Sequence, residues 1–313
     1  MKDVILELKN VTKVIGNKTI IDNVDLKISE GEIFGFLGPN GAGKTTTIRM
    51  IVGLSSLTKG DILICGKSIS TERKEAIKNI GAIIENPELY KFMTGFQNLM
   101  YFARLHSPKI SKDRVAQIVK LVGLSNSIHD KVRTYSLGMK QRLGLAQCLL
   151  HKPKLLILDE PTNGLDPAGI KEIRQYLKKL ASETGMAIMV SSHLLSEMEM
   201  MCDKIAILQN GKVISTQYVN DIESTKNKVV FELDNPQHAR DILLNEYPHL
   251  EIECSINTLK LNITKEEIPP FIKLLSEKNH YIYGIKDKEQ SLEDRYLALT
   301  ENKEEEYVNS HSK

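Results

Sequence analysis

The chain has 313 residues, which is long enough for one large domain and a smaller one. Its 42 basic and 40 acidic residues leave a formal net charge of +2, so no domain-scale basic excess points to a nucleic-acid partner. A hydrophobic content of 41% and a charged content of 26% are ordinary for a soluble globular protein.

The N-terminal residues and the cysteines argue against several classes of protein. Charges at positions 2, 3, 7 and 9 are not compatible with a signal peptide. No uncharged apolar run approaches the ~20 residues of a membrane helix, so any role at a membrane is expected to depend on a partner. The four cysteines are far apart and form no CxxC pair, which disfavours a zinc site or a disulfide framework and indicates a reducing compartment.

Apolar runs bounded by glycine and proline alternate with longer helical patterns, which predicts an α/β domain with a largely parallel sheet. Residues 4–8 and 23–28 alternate apolar and polar side chains, as half-buried edge strands do. Residues 155–158 and 187–190 are continuous apolar runs, which predicts central strands buried on both faces. Residues 33–37 form a further apolar run, followed by a glycine-rich turn and a helix.

The domain organisation follows from changes in these patterns. Between about residues 88 and 152 three helical patterns appear with hardly any strand signal, which predicts a helical subdomain inside a first domain of residues 1–218. The order strand, helix, strand, strand, helix, strand then predicts a small α+β accessory domain over residues 219–302. We interpret it as a structural or dimer-stabilising appendage. The polar residues 303–313 are predicted to be a disordered tail.

Residues 38–45 match the pattern G-x-x-x-x-G-K-[ST] of a phosphate-binding loop, and a strand precedes them while a helical pattern follows. Glycines let successive N–H groups point at phosphate oxygens, and the helix N-terminus adds positive partial charge. Lys44 is expected to bridge the β- and γ-phosphates of a nucleotide, and Thr45 to coordinate Mg²⁺. The alternative is a glycine-rich turn that matches by chance. The predicted nucleotide contacts here are Gly38, Pro39, Asn40, Gly41, Ala42, Gly43, Lys44, Thr45 and Thr46.

Two acids end the apolar run at 155–158, where an α/β sheet places its site. Two adjacent carboxylates repel unless a cation or a proton separates them. We therefore expect Asp159 to hold Mg²⁺ and Glu160 to act as the general base on the attacking water. His193 follows another buried strand and is a candidate to contact the γ-phosphate. The alternatives are an ordinary solvated acidic pair and a structural histidine.

Residues 135–142, with sequence YSLGMKQR, resemble the signature motif of ABC-type ATPases. The phosphate-binding loop, the LLILDEP run, Gly164-Leu165-Asp166 and His193 complete the ordered set over about the first 218 residues. The resemblance implies that Ser136 and Gly138 reach the γ-phosphate of a second copy in a head-to-tail homodimer, with Asp166 at the interface. It also implies a separate transmembrane permease, through which the ATPase binds the cytoplasmic face of a bacterial cell membrane.

Softer matches are similar to the ATP-binding subunits of bacitracin-resistance and lantibiotic-immunity exporters. These are residues 81–87, 94–99, 136–142 and 291–300. The implied function is ATP-driven export of an antimicrobial peptide. Export of a lipid or another amphiphile is the alternative, and a non-transport ABC ATPase is a more distant one.

Two departures from the common pattern of the superfamily concern the expected nucleotide site. Glu85 stands where most members carry glutamine, and lantibiotic-immunity subunits share this glutamate. We expect Glu85 to contact the nucleotide and to be a ligand of Mg²⁺. Our hypothesis is that Glu85 affects coupling to the permease more than ATP binding. Ile15 appears where an aromatic side chain usually stacks on adenine. An aliphatic contact lacks the ring–ring interaction, so loose base selectivity, with GTP as a substitute, is expected.

Overall fold

The computed structural model describes residues 2–106, 108–219 and 227–288. The chain divides into two compact units, Met1–Gln217 and Tyr218–Lys313. The predicted tail at 303–313 and the exporter-like segment at 291–300 lie outside the described residues. Within the described ranges, no helix has the length and apolar character required to cross a membrane.

The first unit contains ten strands and seven α-helices among its described residues. The strands are β1 (Val4–Ile15), β2 (Lys18–Ser29), β3 (Ile33–Leu37), β4 (Lys59–Ile64), β5 (Lys67–Ser68), β6 (Ile80–Ile83), β7 (Leu155–Asp159), β8 (Ala187–Ser192), β9 (Lys204–Gln209) and β10 (Lys212–Tyr218). The helices are α1 (Lys44–Ile51), α2 (Arg73–Ile77), α3 (Gly95–Leu105), α4 (Lys112–Leu121), α5 (Leu137–Leu149), α6 (Pro167–Thr184) and α7 (Leu195–Met201).

Six strands form the central sheet in the order β10-β9-β3-β8-β7-β6. The pairs β9/β3, β3/β8, β8/β7 and β7/β6 are parallel, and every residue of β3, β7 and β8 is buried. The sequences of these three strands contain uninterrupted apolar runs because both faces of a parallel sheet are covered by other elements. Since parallel strands end at one edge of the sheet, the loops after β3, β7 and β8 lie side by side there.

A second sheet has the order β2-β1-β4-β5 with antiparallel pairing. The prediction of an edge strand is right for β2 and wrong for β1, which lies between β2 and β4. The alternating pattern of β1 arises because one face of this sheet packs on the core, which is independent of position in the sheet. Leu6 of β1, Phe34 of β3 and Ile48 of α1 belong to the same buried cluster, which joins the two sheets.

The predicted three-helix segment consists of α3, α4 and α5, and each helix begins at a hydroxyl side chain. Thr94 forms a capping box with Gln97, in which each side chain accepts from the other residue's backbone N–H. Ser111 and Ser136 accept from the backbone N–H three residues on. Such caps accept from backbone N–H groups that the first turn of a helix leaves without partners. Each cap typically contributes about 1 kcal/mol to stability.

The second unit comprises β11 (Asn227–Leu233), α8 (Pro236–Glu246), β12 (Ile252–Cys254), β13 (Thr258–Ile263), α9 (Ile268–Glu277) and β14 (Ile282–Lys288). Its antiparallel sheet has the order β12-β13-β11-β14 and a separate core that includes Phe231, Leu243 and Phe271. The predicted order of strands and helices is confirmed. The fold class predicted from the sequence is thus present: an α/β unit with a helical segment, followed by a small α+β unit.

Candidate functional site

The loop between β3 and α1 requires glycine at two positions, one for its backbone conformation and the other for a close approach of backbone. Gly43, the N-cap of α1, has φ 111°, and a Cβ there would lie 2.4 Å from Ile21 Cδ1. A Cβ on Gly38 would lie 2.4 Å from the carbonyl oxygen of Leu208. A side chain at position 38 would collide with backbone and displace the loop, whereas one at position 43 would be strained by the φ of 111°. The glycines therefore set the path on which the loop N–H groups converge.

Lys44 is the first residue of α1 and is only 6% exposed. Its ammonium donates to the carbonyl oxygens of Gly38 at 2.6 Å and Pro39 at 3.4 Å. The Nζ atom also lies 3.4 Å from Glu160 Oε1. The Lys44 ammonium therefore lies between the loop carbonyls and the carboxylate of the acid that follows β7.

Asp159 is 2% exposed and accepts hydrogen bonds at both carboxylate oxygens. Thr45 Oγ1 donates to Oδ2 at 3.0 Å, and Ser191 Oγ donates to Oδ1 at 2.5 Å. The Ser191 hydroxyl also accepts from the backbone N–H of Glu160 at 3.0 Å. The end of β8 thus fixes both acids, a role of Ser191 that our sequence analysis missed because it depends on the pairing of β7 with β8.

Glu160 and His193 are in direct contact. His193 Nδ1 lies 2.9 Å from Glu160 Oε2, and both residues begin the loops after their strands. Glu160 has φ 50°, in the left-handed region that residues with a Cβ seldom adopt. Such backbone conformations persist where the surroundings hold them, often at functional sites.

These residues surround one cavity of about 450 Å³, a size typical of small-molecule sites. We call it the central cavity. Its lining includes eleven predicted site residues: Pro39, Asn40, Gly41, Gly43, Lys44, Thr45, Thr46, Glu85, Asp159, Glu160 and His193. Gly38 and Ala42 are buried behind the loop surface. Four lining residues were not predicted: Ile20, Asn86, Gln141 and Asn163.

Besides Gly38 and Ala42, four predicted contacts lie outside the lining of the central cavity. Ile15 is 56% exposed at the end of β1, and Ile20 of β2 provides the apolar wall instead. Ser136 caps α5, Gly138 lies in the first turn of α5, and Asp166 caps α6. Any contact of these four residues with a nucleotide therefore remains a prediction.

Glu85 lines the central cavity, but its carboxylate turns towards solvent. Its side chain is 64% exposed, and Oε1 accepts from Arg49 NH2 at 3.1 Å. Its φ of 64° is also in the left-handed region. Glu85 as a Mg²⁺ ligand remains a prediction, because the structure pairs this acid with Arg49.

The hydroxyl of Thr45 and the carboxylate of Asp159 are a pair of oxygen ligands that fits Mg²⁺. Within the described residues, no three His, Cys, Asp or Glu side chains gather as a metal site. Mg²⁺ rarely needs such a cage, since it commonly binds one or two carboxylates together with substrate phosphates and water. A hydroxyl 3.0 Å from a buried carboxylate, beside the phosphate-binding loop, meets that requirement.

Burial favours the neutral form of three titratable groups away from the cavity, Cys148, His106 and His151. Burial raises the pKa of the Cys148 thiol to about 12, so this sulfur stays protonated and unreactive. Burial also lowers the pKa of both His106 and His151, whose rings stack with centroids 4.7 Å apart. These groups are accordingly assigned to packing.

Comparison with known proteins decides the family. The model for the ABC transporter family matches residues 21–163. The ABC transporter ATP-binding protein YhcH of Bacillus subtilis (strain 168) is 59% identical over 303 residues, covering 96% of this chain and 98% of that protein. The chain belongs to the ABC transporter ATP-binding proteins. This ABC ATPase therefore hydrolyses ATP as the subunit of a transporter, and the resemblance drawn from its motifs is confirmed.

Other relatives carry more specific names. The bacitracin transport ATP-binding protein BcrA of Bacillus licheniformis is 37% identical to the ABC ATPase over 312 residues, covering 94% of this chain and 97% of the relative. The lantibiotic transport ATP-binding protein SrtF of Streptococcus pyogenes is 41% identical over 231 residues, covering 72% of this chain and 98% of the relative.

Solved structures of ABC proteins share the fold. A cbiO1 protein from Clostridium perfringens, part of the ABC transporter complex cbiONQ, has a TM-score of 0.66 at 26% identity and covers 79% of this chain and 97% of its own. An ATP-binding cassette solved as a dimer after hydrolysis, bound to ADP and phosphate, has a TM-score of 0.61 at 28% identity, covering 68% and 98%.

Proposed function

We propose that two copies of this ABC ATPase drive a separate permease that exports an antimicrobial peptide of the bacitracin or lantibiotic type. The observation that carries the cargo assignment is the match to bacitracin transport BcrA, which extends over 94% of the chain. The match to lantibiotic transport SrtF supports the same class of cargo. Membrane contact is made through the permease, at the cytoplasmic face.

Hydrolysis is assigned to residues around the central cavity. The ammonium of Lys44 and the loop N–H groups bind the β- and γ-phosphates. Glu160 accepts the proton of the attacking water, and His193, 2.9 Å away, orients its carboxylate. Bound at Thr45 and Asp159, Mg²⁺ would supply positive charge to phosphate oxygens as negative charge develops.

A second copy completes each site in this proposal. The segments that carry Ser136 and Asp166 lie against each other, since a Cβ built on Gly164 would be 3.2 Å from Leu137 Cδ2. Ser136 and Asp166 are exposed and absent from the lining of their own chain's cavity. One continuous surface can thus face the phosphates of a partner copy, and the related cassette solved as a dimer supports this arrangement.

The cargo is tested by the susceptibility of cells that express this chain together with its cognate permease. We expect protection against bacitracin or a lantibiotic, and loss of protection when Glu160 is replaced by glutamine. The matched control is Glu183→Gln, at an exposed acid near the end of α6. Protection against none of the panel, with the wild-type complex present at the membrane, would move the cargo to a lipid or another amphiphile.

Replacing Glu85 by glutamine should change ATP affinity less than about threefold while altering transport. Glutamine keeps an acceptor oxygen, and the exposed pair with Arg49 contributes only about 0–1 kcal/mol. The measurements are nucleotide binding by the purified chain and the susceptibility assay above. Glu75→Gln, at an exposed acid on α2, is the control. A large loss of ATP affinity would show that Glu85 serves the nucleotide rather than coupling.

A further inference from the structure

Glu197 of α7 joins the two loops that carry Glu160 and His193. Its Oε2 atom accepts a hydrogen bond from Thr162 Oγ1 at 2.6 Å and a longer one from Ser192 Oγ at 3.4 Å. Thr162 is two residues beyond Glu160, and Ser192 immediately precedes His193. One carboxylate oxygen, outside the lining of the central cavity, therefore contacts both sides of the Glu160–His193 pair.

The two hydroxyls are buried, so their partner matters. Thr162 is 7% exposed and Ser192 is 1% exposed, which leaves them little access to water as an alternative acceptor. The Ser192 hydroxyl in turn accepts from the backbone N–H of Leu194 at 3.0 Å, which fixes the chain on the far side of His193. The short Thr162 bond is the stronger of the two contacts, because O–H donors prefer about 2.7–2.8 Å.

We propose that Glu197 is a positioning residue for ATP hydrolysis. It holds the loop after β7 and the loop after β8 in register, so that Glu160 and His193 stay within hydrogen-bond distance. This inference rests on the proposed roles of Glu160 and His193. Glu160 needs such support, because its left-handed backbone is a conformation that the local sequence does not favour.

The first test is the rate of phosphate release by the full chain over a range of ATP concentrations. Glu197→Ala should lower kcat by about 10- to 100-fold, because a displacement near 1 Å can have this effect on an aligned site. The KM for ATP should change less than about threefold, since Glu197 does not line the cavity. Glu197→Gln keeps an acceptor oxygen for Thr162 and should retain most of the rate.

Substitutions at the other end of the bond give an independent readout. Thr162→Val keeps the branched shape but removes the hydroxyl, and should lower kcat as Glu197→Ala does. Thr162→Ser keeps the hydroxyl and should restore the rate. In the double variant Glu197→Ala/Thr162→Val, kcat should be no lower than in the slower single variant, because both changes remove one interaction. Independent, multiplicative losses would overturn the proposal.

Three controls separate positioning from other causes. Glu183→Ala removes an exposed acid of α6 and should leave kcat unchanged. Each rate is divided by the concentration of chains that bind nucleotide. If the loss of kcat disappears after this correction, the variant is partly unfolded and the inference is overturned. If Glu197→Ala has the wild-type kcat while Glu160→Gln is inactive, the positioning role of Glu197 is refuted and the proposed base is not. Full activity of Glu160→Gln would refute the proposed base, and the inference with it.

Discussion

Replacing Glu160 by glutamine is expected to reduce ATP hydrolysis by about 10²- to 10⁴-fold, the usual contribution of a general base. Glutamine retains the shape of the side chain and an acceptor oxygen for His193, 2.9 Å away in the wild type, but it cannot take up a proton. ATP binding should persist, because the phosphate-binding loop and Lys44 are unchanged. The variant should therefore accumulate as an ATP-bound dimer.

Two measurements check this result. Phosphate release gives the rate, and size-exclusion chromatography with and without ATP and Mg²⁺ gives the oligomeric state. Glu183→Gln should match the wild type in both. A fully active Glu160→Gln protein would remove this residue as the base, whereas an inactive protein that stays monomeric with ATP would contradict the proposed closure of two copies.

Replacing Lys44 by methionine is expected to weaken ATP binding by about 10- to 150-fold. Methionine nearly matches the length of lysine but lacks the ammonium, and a hydrogen bond from a charged group contributes about 1.5–3 kcal/mol. The position is 6% exposed, so methionine there adds little apolar surface in contact with water. The substitution also removes the cation 3.4 Å from Glu160 Oε1, which increases the loss of hydrolysis.

Titration with a fluorescent ATP analogue measures the change in affinity. Lys171→Met, at an exposed position on α6, controls for the loss of one positive charge. Thermal unfolding of both variants in the absence of nucleotide shows whether the fold is intact. If Lys44→Met is folded and binds ATP as tightly as the wild type, the phosphates of ATP do not bind at Lys44.

The sequence is most informative where a short segment defines both its structure and its chemistry. The run Ile33–Leu37 and the glycine-rich loop after it predict strand, turn and helix together, and the structure has all three. Asp159 and Glu160 were placed correctly at the end of β7, because a parallel sheet positions such residues at one edge.

Features that depend on pairing between distant segments were not predicted. The contact of Ser191 with Asp159 requires β7 and β8 to be neighbours, and the bond from Thr162 to Glu197 spans 35 residues. Ile20 faces the cavity while its neighbour Ile21 is fully buried, which the apolar character of both residues does not reveal. The preference of Glu85 for Arg49 likewise depends on the approach of α1 to the loop after β6.

At Glu160 the requirements of stability and of ATP turnover conflict, because the left-handed backbone favours glycine whereas hydrolysis needs the carboxylate. Holding a residue with a Cβ in such a conformation costs about 1–3 kcal/mol, and glycine would adopt it freely. A gene copy in which glycine replaced this acid would be expected to encode an inactive protein that folds at least as well as its parent. Selection for stability alone would not remove such copies, so only continued demand for ATP turnover keeps glutamate at this position.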